Sequence, residues 1–150
     1  MKIVLRDISE EDFQTLYEIQ REPAVYEMAV TTPRSEDAFL QRWREKAADP
    51  EILIQVIEAE GVVVGDIESF LHEDRRVVGY LIGSKYWGRG IATAALTEFL
   101  TAHEKRRPLS AFAAVTNKAS YRVLQKCGFH QVDGPSVGSD GVEEFRMDLL

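Results

Sequence analysis

The sequence predicts the mixed α/β class (α+β), a largely antiparallel sheet flanked by helices. Three observations lead there. Three runs rich in β-branched residues, ILIQVIEA, GVVVGDIESF and RRVVGYLIG, follow one another across short polar turns, the pattern of adjacent antiparallel strands. Segments with helical period lie on both sides of that block. A mostly apolar run, SAFAAVT, then returns as a strand buried on both faces and leads through another helix to a closing pair of strands. At 150 residues the chain is expected to form one domain spanning 1–150, able to hide roughly 68–70% of its unfolded surface.

Taken in order, Ser9 caps a first helix over about Glu10 to Arg21, with acids in its first turn and Phe13, Leu16, Tyr17 and Gln20 at helical spacing. EPAVYEMAVTTPRSE reads as a connecting loop. Ser35 caps a second helix from Glu36, which sets Phe39 and Trp43 four residues apart and stops at Asp49 and Pro50. The three strands come next, the first two joined by Glu60 and Gly61 and the third following the turn HEDR. From Ile91 to about His103 the period is helical again, with Ala92, Ala95, Leu96, Phe99 and Leu100 as its apolar stripe. After SAFAAVT, Asn117 caps a helix whose core positions are Val123, Leu124 and Cys127. Gly128 is its left-handed stop, and Phe129 folds back. FHQVDG and EEFRMDLL form a last hairpin around PSVGSDG.

Composition excludes several classes. A hydrophobic fraction of 45% and a charged fraction of 29% are those of an ordinary globular protein. The only apolar run at the N-terminus is three residues long before Arg6, too short for a signal peptide core, so a cytoplasmic location is expected, without membrane contact. The lone Cys127 makes no internal disulfide and has no neighbours for a zinc site, so no metal is expected. A net charge of -7 opposes binding to nucleic acid; unless it serves solubility alone, it favours cationic small molecules or basic peptide ends.

The stretch YWGRGIATAAL, residues 86–96, carries the chemistry. A strand that ends in closely spaced glycines and enters a helix presents unpaired N–H groups at the positive end of the helix dipole, which suits an anion. Gly88 and Gly90 carry no side chains to hold a phosphate off, Ala92 is small, and Arg89 adds charge at the rim. The competing reading is a tight turn and nothing more. A Walker loop is excluded because no Gly-Lys-Ser/Thr follows. A dinucleotide fingerprint fails because its third small position is Thr93 and the preceding strands are antiparallel.

With the loop Trp87, Gly88, Arg89, Gly90, Ile91, Ala92 and the helix NKASYRVLQKCGF, the chain resembles the GNAT superfamily of acetyl-CoA-dependent N-acetyltransferases, within it the ribosomal-protein N-acetyltransferase-like branch. The resemblance covers essentially the whole chain. It implies the GNAT fold, with a twisted sheet splayed where the YLIG strand meets SAFAAVT and acetyl-CoA bound in the cleft. The chain is then a transferase, an acyltransferase passing acetyl directly to a primary amine, either a protein N-terminus or a small molecule. The resemblance further implies a homodimer.

Residue by residue, the resemblance implies that Tyr80, Leu81 and Ile82 end the strand that pairs with the pantetheine arm, an N–H near Leu81 or Ile82 polarising the thioester carbonyl. Gly88 to Thr93 hold the pyrophosphate, Asn117 bonds the pantetheine, and Ser120 donates to the departing thiolate. Both Asn117 and Ser120 also suit a plain helix cap. Many members place a tyrosine seven residues beyond the asparagine; here that position is Leu124, and Tyr121 is turned about 100° around the helix from Ser120. Cys127 reads as a packed thiol. Where relatives often carry glutamate this chain has Val77 and Phe112, which leaves the general base open among Glu68, His72, Glu143, Glu144 and water, and keeps a CoA-binding sensor with little activity as the alternative.

Overall fold

The computed structural model describes residues 1–138 and 140–150; Ser139, inside the expected final turn, lies outside the described residues. Strand β1, Ile3–Asp7, opens the chain and pairs antiparallel with β2, Leu53–Ala59. Nothing in the sequence alone marks a strand at β1, since five residues carry too little alternation to stand out without their partner. Ser9 begins a 3-10 turn, Glu10–Asp12, its N–H donating to Asp12 Oδ2 at 2.9 Å, and α1 follows as Phe13–Gln20. The expected connecting loop contains a helix instead: α2, Pro23–Ala29, starts with proline in its first turn, where the missing N–H costs nothing, and ends at Val30 with φ 55. Helix α3, Glu36–Ala48, begins as expected at Ser35, whose Oγ accepts from Ala38 N.

Strands β3, Val62–His72, and β4, Arg75–Ile82, complete the antiparallel block. Helix α4, Ile91–Glu98, runs into a π-helical segment, Phe99–His103. Strand β5, Leu109–Ala114, leads to α5, Lys118–Lys126, which Gly128 ends at φ 95 while Phe129 N donates back to Leu124 O at 3.0 Å. Strands β6, His130–Val137, and β7, Glu143–Leu149, form the closing hairpin. The seven strands lie in the order β1-β2-β3-β4-β5-β7-β6, antiparallel except at β4 and β5.

Two apolar layers hold the sheet. One face packs against α4, the π segment and α5 through Ile67, Val78, Leu96, Phe99, Leu109, Leu124, Phe129 and Met147. The other packs against α1, α2 and α3 through Phe13, Leu16, Val25, Phe39, Trp43 and Ile54. Alternation along the strands sends successive side chains to opposite layers, so Tyr80 and Ile82 join the first and Leu81 the second.

Candidate functional site

Strand β4 ends at Ile82, and Gly83 N donates to Val64 O at 2.9 Å. A single 3-10 turn, Ser84–Tyr86, then turns the chain, and the Trp87 indole closes it by donating to Ile82 O at 2.9 Å. Gly88 and Gly90 follow with φ 75 and 78, the left-handed conformation that the two-glycine spacing anticipates. Among the described residues, apart from the chain neighbours, nothing lies within 4 Å of where a Cβ on either would sit. Their bareness thus spares backbone strain and keeps space open to an outside group. Among the described residues the amides of Gly88 to Thr93 donate to no protein acceptor, and Ala94 N is the first to bond back, to Gly90 O at 3.0 Å. An array of free donors at a helix N-terminus suits a phosphate.

Beside this loop the sheet parts. Strands β4 and β5 meet in register only at Val77 and Ser110 and diverge beyond, opening a small cavity of about 130 Å³ lined by Gly79, Tyr80, Phe112, Asn117 and Ser120 among others. The free edge of β4 has a definite polarity. The Leu81 carbonyl points at Gly65 of β3, within 2.0 Å of where a Cβ there would stand, and Gly83 N also bonds β3. Alternation therefore turns the N–H and C=O of Ile82 away from β3 and toward the opening. Of the two alternatives, Leu81 or Ile82, the N–H that faces the opening is that of Ile82, while Leu81 offers its side chain.

Helix α5 faces the opening with its N-terminus. Asn117 Oδ1 accepts from Ser120 N at 3.1 Å, so the oxygen serves as the cap, while its Nδ2 donates to nothing among the described residues. Ser120 Oγ lies 2.9 Å from the Tyr80 hydroxyl. Burial pushes the Tyr80 phenol up to about 12; the Ser120 hydrogen bond opposes this and the nearby Cys127 adds to it, so Tyr80 keeps its proton at neutral pH. Tyr121 instead points away, donating to Gln131 Oε1 at 2.6 Å with its ring edge-on to Phe145. Leu124 is buried in the core, and Cys127 packs between α5 and α4 with Sγ 3.8 Å from Thr93 O.

A cleft of about 440 Å³ gathers these parts. Tyr80, Leu81, Ile82, Trp87, Gly88, Gly90, Ile91, Ala92, Thr93, Asn117 and Ser120 all line it. Arg89 is an exception: it is exposed outside the lining, its guanidinium 5.9 Å from the Tyr86 ring. Val25, Met28 and Ala29 of α2, within the stretch expected to be a loop, form a wall, and Arg122 and Lys126 of α5 add two cations. The signals for these were present: a proline at a helix start after Glu22, and two basic residues four apart on one helix face.

None of the four side chains considered as general base lines the cleft. Glu68 is ion-paired with Lys46 at 2.7 Å, and His72 lies 3.9 Å from Glu73. Glu143 is exposed; burial and then Asp140 raise the Glu144 carboxyl, with His72 opposing. Beside Glu68 is a carboxylate the sequence did not single out, Asp66, only 6% exposed and opposite Leu81 in register. Burial, then the charge of Glu68, raises its pKa well above the ordinary range against the pull of Lys46. Among the described residues no group of three or more His, Cys, Asp or Glu could hold a metal, and no helix is long and apolar enough to cross a membrane.

Comparison with known proteins finds a match between residues 2–130 and the family model described as acetyltransferase (GNAT) domain. The chain is 26% identical over 144 residues to the L-amino acid N-acetyltransferase AaaT of Escherichia coli (strain K12), covering 89% of this chain and 85% of that protein. Among solved structures it is similar to spermidine N-acetyltransferase from Vibrio cholerae in complex with CoA and spermine, with TM-score 0.81, 17% identity and coverage of 98% and 94%. It is likewise similar to the microcin C7 self immunity acetyltransferase MccE in complex with acetyl-CoA and AMP, with TM-score 0.82, 17% identity and coverage of 99% and 92%.

Proposed function

The chain belongs to the GNAT acetyltransferase family and is an acetyl-CoA-dependent acyltransferase, and from that premise we propose that it passes the acetyl group directly to a primary amine with both substrates bound at once. The observation that carries this reading is the convergence of the glycine loop, the free edge of β4 and the N-terminus of α5 on one cleft. Acetyl-CoA supplies an activated acetyl thioester. The amides of Gly88 to Thr93 receive its diphosphate, with the helix dipole behind them. Arg122 and Lys126 add positive charge on the facing helix.

At the reacting end, the Ile82 N–H polarises the thioester carbonyl and is worth most where charge develops on that oxygen. Asn117 Nδ2 bonds the pantetheine arm. Ser120 donates to the sulfur as the carbon–sulfur bond breaks, and Tyr80, which retains its proton, donates to Ser120 Oγ and so leaves the serine hydrogen free to face the cleft. This places a tyrosine hydroxyl on β4 near the leaving group in a chain whose α5 has Leu124 where many relatives have tyrosine.

The acceptor enters against Val25, Met28 and Ala29. The similarity to an L-amino acid N-acetyltransferase and a spermidine N-acetyltransferase supports a small-molecule amine over a protein N-terminus. An amine with a pKa near that of lysine, about 10.4, must lose a proton before attack, and with no candidate carboxylate lining the cleft the proton leaves through water. The test is release of free CoA thiol from acetyl-CoA across a panel of amines, with product mass measured in parallel. Amine-dependent release with one acetyl gained per thiol and intersecting initial-rate lines is expected. CoA binding without turnover on any amine would overturn transfer and return the sensor reading; parallel lines with loss of activity in Cys127→Ser would overturn direct transfer.

A further inference from the structure

Helix α2 and the glycine loop both line the cleft and are 59 residues or more apart in sequence, yet one side chain joins the start of the helix to the turn that carries the loop. Glu22 precedes α2, and its carbonyl accepts the first helical amides, Val25 N at 2.9 Å and Tyr26 N at 3.1 Å. Its carboxylate reaches the other way. Oε1 accepts from both Ser84 N, at 3.0 Å, and Ser84 Oγ, at 2.7 Å. Oε2 lies against the bare face of Gly83, 3.7 Å from where a Cβ would sit. Ser84 opens the 3-10 turn that runs into Trp87, Gly88 and Gly90, so a carboxylate stands at the N-terminal end of that turn, where free amides favour it. Two bonds to a charged acceptor in a half-buried setting are among the stronger hydrogen bonds a protein makes.

We propose that Glu22 is a positioning residue that fastens the α2 wall to the turn carrying the glycine loop, so that seating CoA and ordering the acceptor side are coupled. The coupling rests on the acetyl-CoA reading above; the tie itself does not. The geometry gives it direction. Val25 is buried in the layer beneath α2 and also lines the cleft with Met28 and Ala29 of the same helix, so a shift at Glu22 moves the wall as a unit. On the other side, Gly83 N is held to Val64 O and the indole bond to Ile82 O holds the far end of the turn, while Tyr86 N to Gly83 O and Trp87 N to Ser84 O are bonds within it, so Glu22 is what ties Ser84 to the start of α2. Losing Glu22 releases Ser84 and the start of the helix from one another.

Amide hydrogen exchange reads the tie in the protein without ligand. In Glu22→Ala, exchange of the Ser84 amide and of the α2 amides should rise together by roughly tenfold or more, the loss expected for a charge-assisted hydrogen bond. Glu22→Gln keeps the accepting oxygen and should stay within a few-fold of wild type. CoA is the second probe: added to wild type it should slow exchange in α2 as well as in Gly88–Thr93, and in Glu22→Ala its Kd should rise roughly tenfold with slowing confined to the loop. Faster exchange at Ser84 alone with α2 still protected, or a Gln variant as loose as Ala, would overturn the tie. CoA affinity unchanged in Glu22→Ala would overturn the coupling. Failure of wild type to bind CoA would count against the acetyl-CoA reading and its coupling, while the ligand-free exchange would still decide the tie.

Discussion

Gly90 offers a perturbation whose two consequences can be separated. Its φ is 78 and, among the described residues apart from its chain neighbours, no atom lies within 4 Å of a Cβ built there, so Gly90→Ala meets no clash with them. What it brings first is the cost of a left-handed alanine, roughly 1–2 kcal/mol. For a chain of this size that lowers Tm by roughly 2–8 °C. It also puts a methyl group into the open space beside the free amides of the loop. If a diphosphate fills that space, displacement of even one charge-assisted bond weakens binding by roughly 10- to 100-fold. Gly61 is the matched control: it too has φ 78 and open space at the Cβ position, but it sits in the β2–β3 turn outside the cleft. Gly61→Ala should therefore lose a similar Tm and keep full affinity for CoA. The assay is thermal unfolding of both variants with and without CoA, backed by calorimetric titration. Equal CoA affinity in the two folded variants would refute the phosphate seat, and an undiminished Tm in Gly90→Ala would refute the left-handed strain.

Three further outcomes follow from the same structure. Ser120→Ala should lower kcat by roughly 10- to 100-fold with little change in CoA affinity, because CoA is a fairly good leaving group with a thiol pKa near 8.5; wild-type turnover under conditions where chemistry limits the rate would remove its role. Glu104, 1% exposed, accepts from Ser69 Oγ and, at 2.8 Å each, from Arg106 Nε and Nη2, and although burial opposes it these bonds hold its carboxyl at about 2. Because that value lies below the unfolded 4.5, the contribution is complete above about 4.5 and lost as pH falls toward 2; Tm should drop across that window in wild type and drop less steeply in Glu104→Gln. Asp66 is the opposite case, a carboxyl raised by burial and by Glu68, so it costs stability increasingly as pH rises above its unfolded value; Asp66→Asn should keep or raise the Tm near neutral pH, and a marked loss would show that its charge is needed.

Much of the fold was legible because local chemistry and tertiary packing agree. The Ser35 cap, the Glu60-Gly61 turn with φ 51 and 78, and the Gly128 stop are features in which a few adjacent residues settle their own backbone. Helix α2 was not legible for the opposite reason. PAVYEMA is seven residues long, short of what a helix needs to declare itself alone, and its hold comes from Val25 in the layer below and Glu22 across the turn. Strand β1 likewise depends on its pairing with β2.

The site divides along the same line. By itself the sequence determined the local conformation of the loop, since left-handed glycines ahead of a helix and an asparagine cap are properties of contiguous residues, and it set Gly88, Gly90 and Asn117 apart, while Ser120 stood out only through the family resemblance. Only the tertiary structure decided which strand edge faces them and what stands behind them. The choice of Ile82 over Leu81 rests on which side β3 occupies; the Tyr80 hydroxyl meets Ser120 across 40 residues of chain; Glu22 meets Ser84 across 62. Hydrogen bonds and charges act through distances of a few ångströms, and sequence separation carries no information about those distances until the sheet has been assembled and splayed.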